Sequence, residues 1–318
     1  MLLFATVQVT KAQNNNITGS VTNEKGNLMH DVFVADDQYK NATFTDSLGN
    51  FTIVVHPDSK LKFEHAGYKD TVITAPKPGE GMQVTIKGAV GSKVSADSTS
   101  GMAAAGGGLT KNEVAVISND MGGYLKPAHE KGDTRGSQYL FETFVHGYMI
   151  SSAGELAHNP GFLFDYDKMS GNLLLTRDNR LITEVGFDQI NSFTLFSNTD
   201  ERVDFGKEPA IDPSHYLQVL ASGTKYKIYK RIKTRFAKAD YVNNGAAPHG
   251  HDYDEYIDDA DYYVFDLQTN QPKKFTLRKK SIKEVFAKEA DKINKYVSSA
   301  SGDIDDAYLS KLGAFMNQ

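Results

Sequence analysis

His249 and His251 stand one residue apart in the stretch PHGHDYDEYIDDADYYV, and six carboxylates follow within ten residues. In an extended segment, residues two apart point to the same side, so both imidazoles could reach one ion. Asp252 and Asp254, or Glu255, would add oxygen ligands, a set suited to zinc or another divalent metal. That chemistry is metal-assisted hydrolysis. Against it, the preceding NNGAAPHG has loop composition, and a floppy site must be ordered at the ion's expense. A calcium frame fails as well, because Asp252, Asp254 and Asp258 lack the required glycine and closing glutamate. The bland alternative is a solvated acidic loop leading into a strand that starts near Tyr262.

The second charged feature is KYKIYKRIKTRF. With a period of two, Lys225, Lys227, Tyr229, Arg231, Lys233 and Arg235 fall on one face of a strand, and Tyr226, Ile228, Ile232 and Phe236 on the other. This predicts a half-buried strand displaying a basic row with a tyrosine within it. Such a row would meet an anionic partner, such as an acidic glycan or lipopolysaccharide. It would equally serve as a solvent face that discourages edge-to-edge aggregation. If the acidic stretch folds back over it, the two form an ion-pair network, worth little where exposed.

Motifs for other chemistry are missing. There is no G-x-S-x-G elbow, no Walker A loop and no dinucleotide-binding G-x-G-x-x-G. HEKGD at His129 lacks a second histidine four residues on, and Gly132 would break its helix. These residues point to no catalytic group and no cofactor. The leading expectation is a binding or structural module, with a metal-dependent hydrolase as the alternative.

Composition sets the frame for both features. The 318 residues are 40% apolar and 11% aromatic, enough for two domains with real cores, and a net charge of −5 argues against nucleic acid as the partner. Cysteine is absent, which excludes disulfides, thiolate metal sites and cysteine catalysis. Tryptophan is absent too, while 16 Tyr and 18 Phe favour strands. The start, MLLFATVQVTKAQ, has an apolar run too short to span a bilayer. With small Thr10 and Ala12 before Gln13, it reads as a signal peptide over residues 1–12, of which the basic leading part is missing. Export to the periplasm, the outer membrane or the outside follows. No run elsewhere is long enough for a transmembrane helix.

From Ile17 to Lys87 short period-2 strands alternate with turns, the pattern of a small β-sandwich. NATFTDSLGNFTIVV reads as a hairpin, and KLKFEHAGYKDTVIT as a further strand pair. The spacing runs through Ile17, Gly19, Val21, Gly26, Val32, Val34, Thr43, Thr45, Asp46, Gly49, Phe51, Ile53, Leu61, Phe63, Gly67 and Tyr68. In this spacing residues 17–88 resemble the carboxypeptidase regulatory-like domain, a transthyretin-like (Ig-like) β-sandwich abundant in exported Bacteroidetes proteins. Met29-His30 stands where a proline-leucine is usual. The resemblance implies a non-catalytic accessory module and carries over no catalytic residue. Asp46-Ser47-Leu48, Asp70-Thr71-Val72 and Asp97-Ser98-Thr99 resemble the short O-glycosylation sequon of that phylum.

Residues 89–112 are rich in Gly, Ala and Ser and read as a linker. Over 113–318 the strands resume as an antiparallel meander, a curved sheet or open barrel, closed by two C-terminal helices. Ser281 with Glu284 reads as a capping box, and Asp303 as the cap of the last helix. GSQYLFETFVHGYM, NLLLTRDNRLITEV and HYLQVL resemble regions that follow such regulatory-like domains, a likeness that brings no activity. The expected fold is therefore mainly β: an N-terminal sandwich, then a β meander with C-terminal helices. The expected partner is a cell-envelope glycan or protein.

Overall fold

The structure is a computed structural model that describes residues 16–36, 38, 40–55, 59–77, 79–89, 134–241 and 249–318. The expected leader, all of the expected linker but Ala89, the HEKGD motif and the Asp97 sequon lie outside these residues. The chain divides into two compact units at Gly107/Gly108 and is mainly β, and the helices among the described residues lie near the C-terminus.

Among the described residues the first unit has seven strands: β1 (Asn16–Asn23), β2 (Phe33–Asp36), β3 (Asn41–Phe44), β4 (Asn50–Val54), β5 (Lys60–Glu64), β6 (Thr71–Thr74) and β7 (Met82–Ile86). They form two sheets, ordered β4-β1-β7 and β3-β2-β5-β6. Alternation explains much of the packing, as in β4 and β7, which turn one face inward, whereas β2 is buried on both faces. Ile17, Val21, Val34, Ile53, Leu61, Phe63, Val84 and Ile86 make the shared core, with the Phe51 and Phe63 rings edge to face at 5.6 Å. Burying side chains of this size is worth about 1.5–3 kcal/mol each. Gly19 is needed for closeness. A Cβ there would lie 2.6 Å from both the Met82 carbonyl oxygen and the Phe51 ring.

One expectation here is corrected. NATFTDSLGNFTIVV is not a hairpin, because β3 pairs with β2 in one sheet and β4 with β1 in the other. Asp46 fastens the intervening turn by accepting from the Leu48 and Asn50 N–H groups. The turn is a corner between sheets, which the apolar alternation of its two flanks does not distinguish from a hairpin. The strand pair in KLKFEHAGYKDTVIT is present as β5 and β6, with Leu61 opposite Ile73.

The second unit contains β8 (Thr134–Arg135), β9 (His146–Ser151), β10 (Leu156–Ala157), β11 (Leu163–Asp167), β12 (Asn172–Thr176), β13 (Ile182–Glu184), β14 (Ile190–Phe196), β15 (Arg202–Glu208), β16 (Asp212–Ser222), β17 (Tyr226–Ala237), β18 (Asp254–Asp266) and β19 (Gln271–Phe275). A nine-stranded sheet runs β10-β9-β14-β15-β16-β17-β18-β19, with β8 paired to β18. Its outermost strands β10 and β19 are not paired with each other, so it is an open sheet among the described residues. The meander is also interrupted: β11, β12 and β13 form a separate three-stranded sheet between β10 and β14 in sequence. Phe164, Tyr166, Leu173 and Leu175 of that small sheet share a core with Phe193, Phe205 and Tyr216 of the large one. The Phe193 and Phe205 rings stack at 4.8 Å. The Tyr216 hydroxyl donates to the Ile190 carbonyl, so this buried phenol is satisfied.

Three helices follow: α1 (Lys279–Val285), α2 (Ala290–Ser299) and α3 (Asp306–Asn317), with a 3-10 turn over Ala287–Glu289. Two had been expected. At Phe286 the backbone leaves the helical region, and its buried ring turns edge-on to Tyr226 at 5.1 Å. The amphipathic stripe survives the break, because Ile282, Phe286, Ile293 and Val297 all pack with Leu220, Tyr226, Ile228 and Val264 of the sheet. Ser281 is not an N-cap. It lies inside α1 and its hydroxyl oxygen accepts from the Thr276 N–H. The cap of α3 is Asp305, whose carboxylate accepts from the Tyr308 N–H at 2.7 Å, two residues after the expected Asp303. At Gly313 the helix α3 touches the sheet so closely that a Cβ would lie 2.1 Å from that of Ala221.

Candidate functional site

Strand β17 and its partner β18 gather most of the residues singled out by sequence. The expected acidic loop is strand from Asp254 onward, not from Tyr262. Its first half lacks apolar alternation; besides the continuous backbone ladder and the Phe236–Tyr256 ring contact at 4.9 Å, charge joins it to β17, with Lys233 opposite Asp259, Arg231 opposite Asp261 and Thr234 opposite Asp258. The Lys233 ammonium lies 2.9 Å from Asp261 and 3.3 Å from Asp259, and Lys274 of β19 closes on the other oxygen of Asp261 at 2.7 Å. The Asp258 carboxylate accepts from the Thr234 hydroxyl and from the ammonium of Lys168, 2.6 Å away. Burial pushes the Asp261 carboxyl up, but hydrogen bonds from Lys274 and Lys233 and their charges hold it below the usual carboxylate range.

The basic row is not a free surface. Arg231 meets Asp212 of β16 at 2.6 Å, and Lys225 lies 3.6 Å from Glu289. Tyr229, expected within the displayed row, is buried against Leu217 and Phe265. Both faces of β17 are covered at that point, which single-strand periodicity cannot reveal. Lys227 and Arg235 keep no ion pair among the described residues. On the other face Lys230 reaches Asp306 of α3 at 2.6 Å.

Asp212 is the anchor of this ladder. It is 4% exposed and accepts from the Ser214 N–H, the Ser214 hydroxyl and the His215 N–H besides meeting Arg231. Burial raises its carboxyl, yet these hydrogen bonds and the neighbouring His215 outweigh it and hold the group at about 2.

The metal candidates are occupied differently. The backbone carbonyl of His251 accepts from the Asp240 and Tyr241 N–H groups, and its N–H donates to the Asp240 carboxylate. Its ring lies 4.9 Å from Tyr253, which also carries the Arg135 guanidinium 3.5 Å above its own ring. Asp254 accepts from the Ala239 N–H. His249 and Asp252 are exposed. Among the described residues no group of three or more His, Asp or Glu side chains is disposed to hold a metal ion. The arrangement is a clasp across the end of the hairpin, made of turn hydrogen bonds and ring contacts.

One charged surface escaped the sequence reading of candidate residues. Between Pro272 and Ala300 there are nine Lys or Arg and three Asp or Glu, in a chain whose net charge is −5. Lys274, Lys288 and Lys292 are committed to Asp261, Asp266 and Glu289. Arg278, Lys279, Lys280 and Lys283 make no ion pair among the described residues. The signal was the run RKKSIK, and it was masked because lysines on an amphipathic helix normally read as its solvent face. No helix among the described residues is long and apolar enough to cross a membrane. Neither a protein-family model nor a curated protein matches this chain.

Proposed function

We propose that this chain is an exported, non-catalytic binding or structural module of the cell envelope, whose second unit recognises an anionic envelope component such as a glycan. The first unit is, in this reading, an accessory domain of the carboxypeptidase regulatory-like type. Its seven strands in two sheets and the close approach at Gly19 support that resemblance. Support for an anionic partner comes from one observation: the central cations of β17, Lys230, Arg231 and Lys233, are paired with carboxylates, whereas Arg278, Lys279, Lys280 and Lys283 stand as a cluster with no ion pair among the described residues. Open charge steers an anion, and paired charge does little.

A binding screen of the full chain against acidic glycans and lipopolysaccharide, at low and physiological salt, tests this. Hits should weaken as salt rises and should be lost in Lys279→Gln/Lys283→Gln while persisting in Lys227→Ala. Hits lost only in Lys227→Ala would return recognition to β17, and salt-insensitive hits would remove the electrostatic reading.

A further inference from the structure

The unpaired lysines of α1 surround a groove. Its volume is about 470 Å³, and Lys279, Lys280, Lys283, Glu284, Ala287, Ala290, Ile293 and Asn294 line it. That is within the roughly 300–1,000 Å³ of small-molecule sites. The lining is mainly apolar, with Ala287, Ala290 and the buried Ile293 in it, and Lys279, Lys280, Lys283 and Asn294 border it together with a single acidic residue, Glu284.

These lysines are placed at a local cost. Lys279 and Lys280 open α1, whose first turn holds no acidic residue, although a helix dipole disfavours cations there. Lys279 and Lys283 are also an i, i+4 pair of like charge, which destabilises a helix. A sequence that breaks two local rules at one groove, without a compensating ion pair, carries the mark of a functional site.

We infer that the groove between α1 and α2 binds a multiply charged small anion of the phosphate type, carried on a compact body that rests on Ala287 and Ala290. Lysine ammonium groups suit phosphate as point charges, and a dianion answers three of them better than one carboxylate does. This inference rests on the anionic-partner reading above and gives it a place and a ligand class.

The test is calorimetric titration of the full chain with inorganic pyrophosphate, then with glucose 6-phosphate and with glucose. Both phosphates should bind and glucose should not, and Lys279→Gln/Lys280→Gln/Lys283→Gln should weaken binding at least ~10-fold. Lys273→Gln, a lysine outside the groove lining, should leave the affinity within about twofold in physiological salt, which screens charges that do not touch the ligand. Equal affinity of the triple variant and the wild-type protein would place the phosphate elsewhere and overturn the inference. So would a wild-type dissociation constant weaker than roughly 10 mM, a binding energy under about 3 kcal/mol. Glycan hits that survive the triple variant sink the groove alone. Pyrophosphate binding without any glycan hit sinks the envelope reading alone.

Discussion

The hairpin of β17 and β18 and the cap helix α1 are both rich in lysine, and they use it in opposite ways. On the hairpin each central cation meets a carboxylate: Arg231 has Asp212, and Lys233 has Asp259 and Asp261. The charges there define register, standing in for the missing apolar alternation of β18. On α1 the cations meet no carboxylate among the described residues, they crowd one another, and they line a groove. Residue type alone therefore says little about role. What separates structure from recognition is whether the fold supplies the counter-charge.

The contrast is broken most directly at Asp212. Asp212→Ala removes the acceptor of Ser214 and His215 and leaves Arg231 without its partner. The expected loss is about 2–4 kcal/mol, kept below the fully buried range because Arg231 is part-exposed. Urea unfolding followed by circular dichroism measures it, there being no tryptophan to report. A loss under about 0.5 kcal/mol, the level of an ordinary surface substitution, would mean that the ladder is ornamental.

A smaller effect of opposite sign is expected at Asp165 of β11. This carboxylate is fully buried; one oxygen accepts from the Phe141 and Tyr166 N–H groups, and the other has no partner. Burial pushes its carboxyl up to about 7, against an ordinary value of 3.8. Its proton therefore leaves the unfolded chain first, so stability should fall as pH rises from about 4 to about 7 and level off above that. Asp212 works the other way: its group is held at about 2, so its contribution is present above about 4 and lost as pH falls toward 2. Asp165→Asn should flatten the neutral limb and stabilise the protein at pH 8 by about 2 kcal/mol. That is less than the roughly 4 kcal/mol of the shift itself, since the amide stays without a partner. An unchanged slope between pH 4 and pH 7 would show that Asp165 is not what titrates.

Legibility in the sequence followed the same physics. Strands with apolar alternation, such as β4, β11, β14 and β17, stand where the spacing puts them, and so does the buried stripe of the C-terminal helices. Failures fell where another force decides. The first half of β18 pairs largely charged residues across the ladder, so a hydrophobic template reads it as loop. β15, with Val203 and Phe205 among polar residues, carries too little alternation to be seen. The corner at Asp46 depends on which sheet each flank joins, a long-range fact. Ser281 and Asp303 carry cap chemistry in the wrong place, because helix starts are set by tertiary packing as much as by local sequence. As for sites, the charged residues of the hairpin were visible but their pairing was not, and the groove of α1 needs two helices to exist at all.

The smallest predicted effect separates the two lysine-rich stretches most sharply, because its sign is the measurement. Replacing Lys279, Lys280 and Lys283 by Gln deletes three cations without touching the buried stripe of Ile282 and Phe286. Glutamine and lysine have nearly equal helix propensity, so the backbone preference is unchanged. If these charges were structural, as on the hairpin, their loss would destabilise the protein. If they are held against the helix dipole and against one another for a ligand, their loss should raise stability by a few tenths of a kcal/mol at low salt. The gain should vanish at roughly 1 M salt, where screening removes both repulsions within ~3 Å. Differential scanning calorimetry at two salt concentrations reads this directly. A lower Tm for the triple variant at low salt would assign α1 to the same structural use of charge as β17.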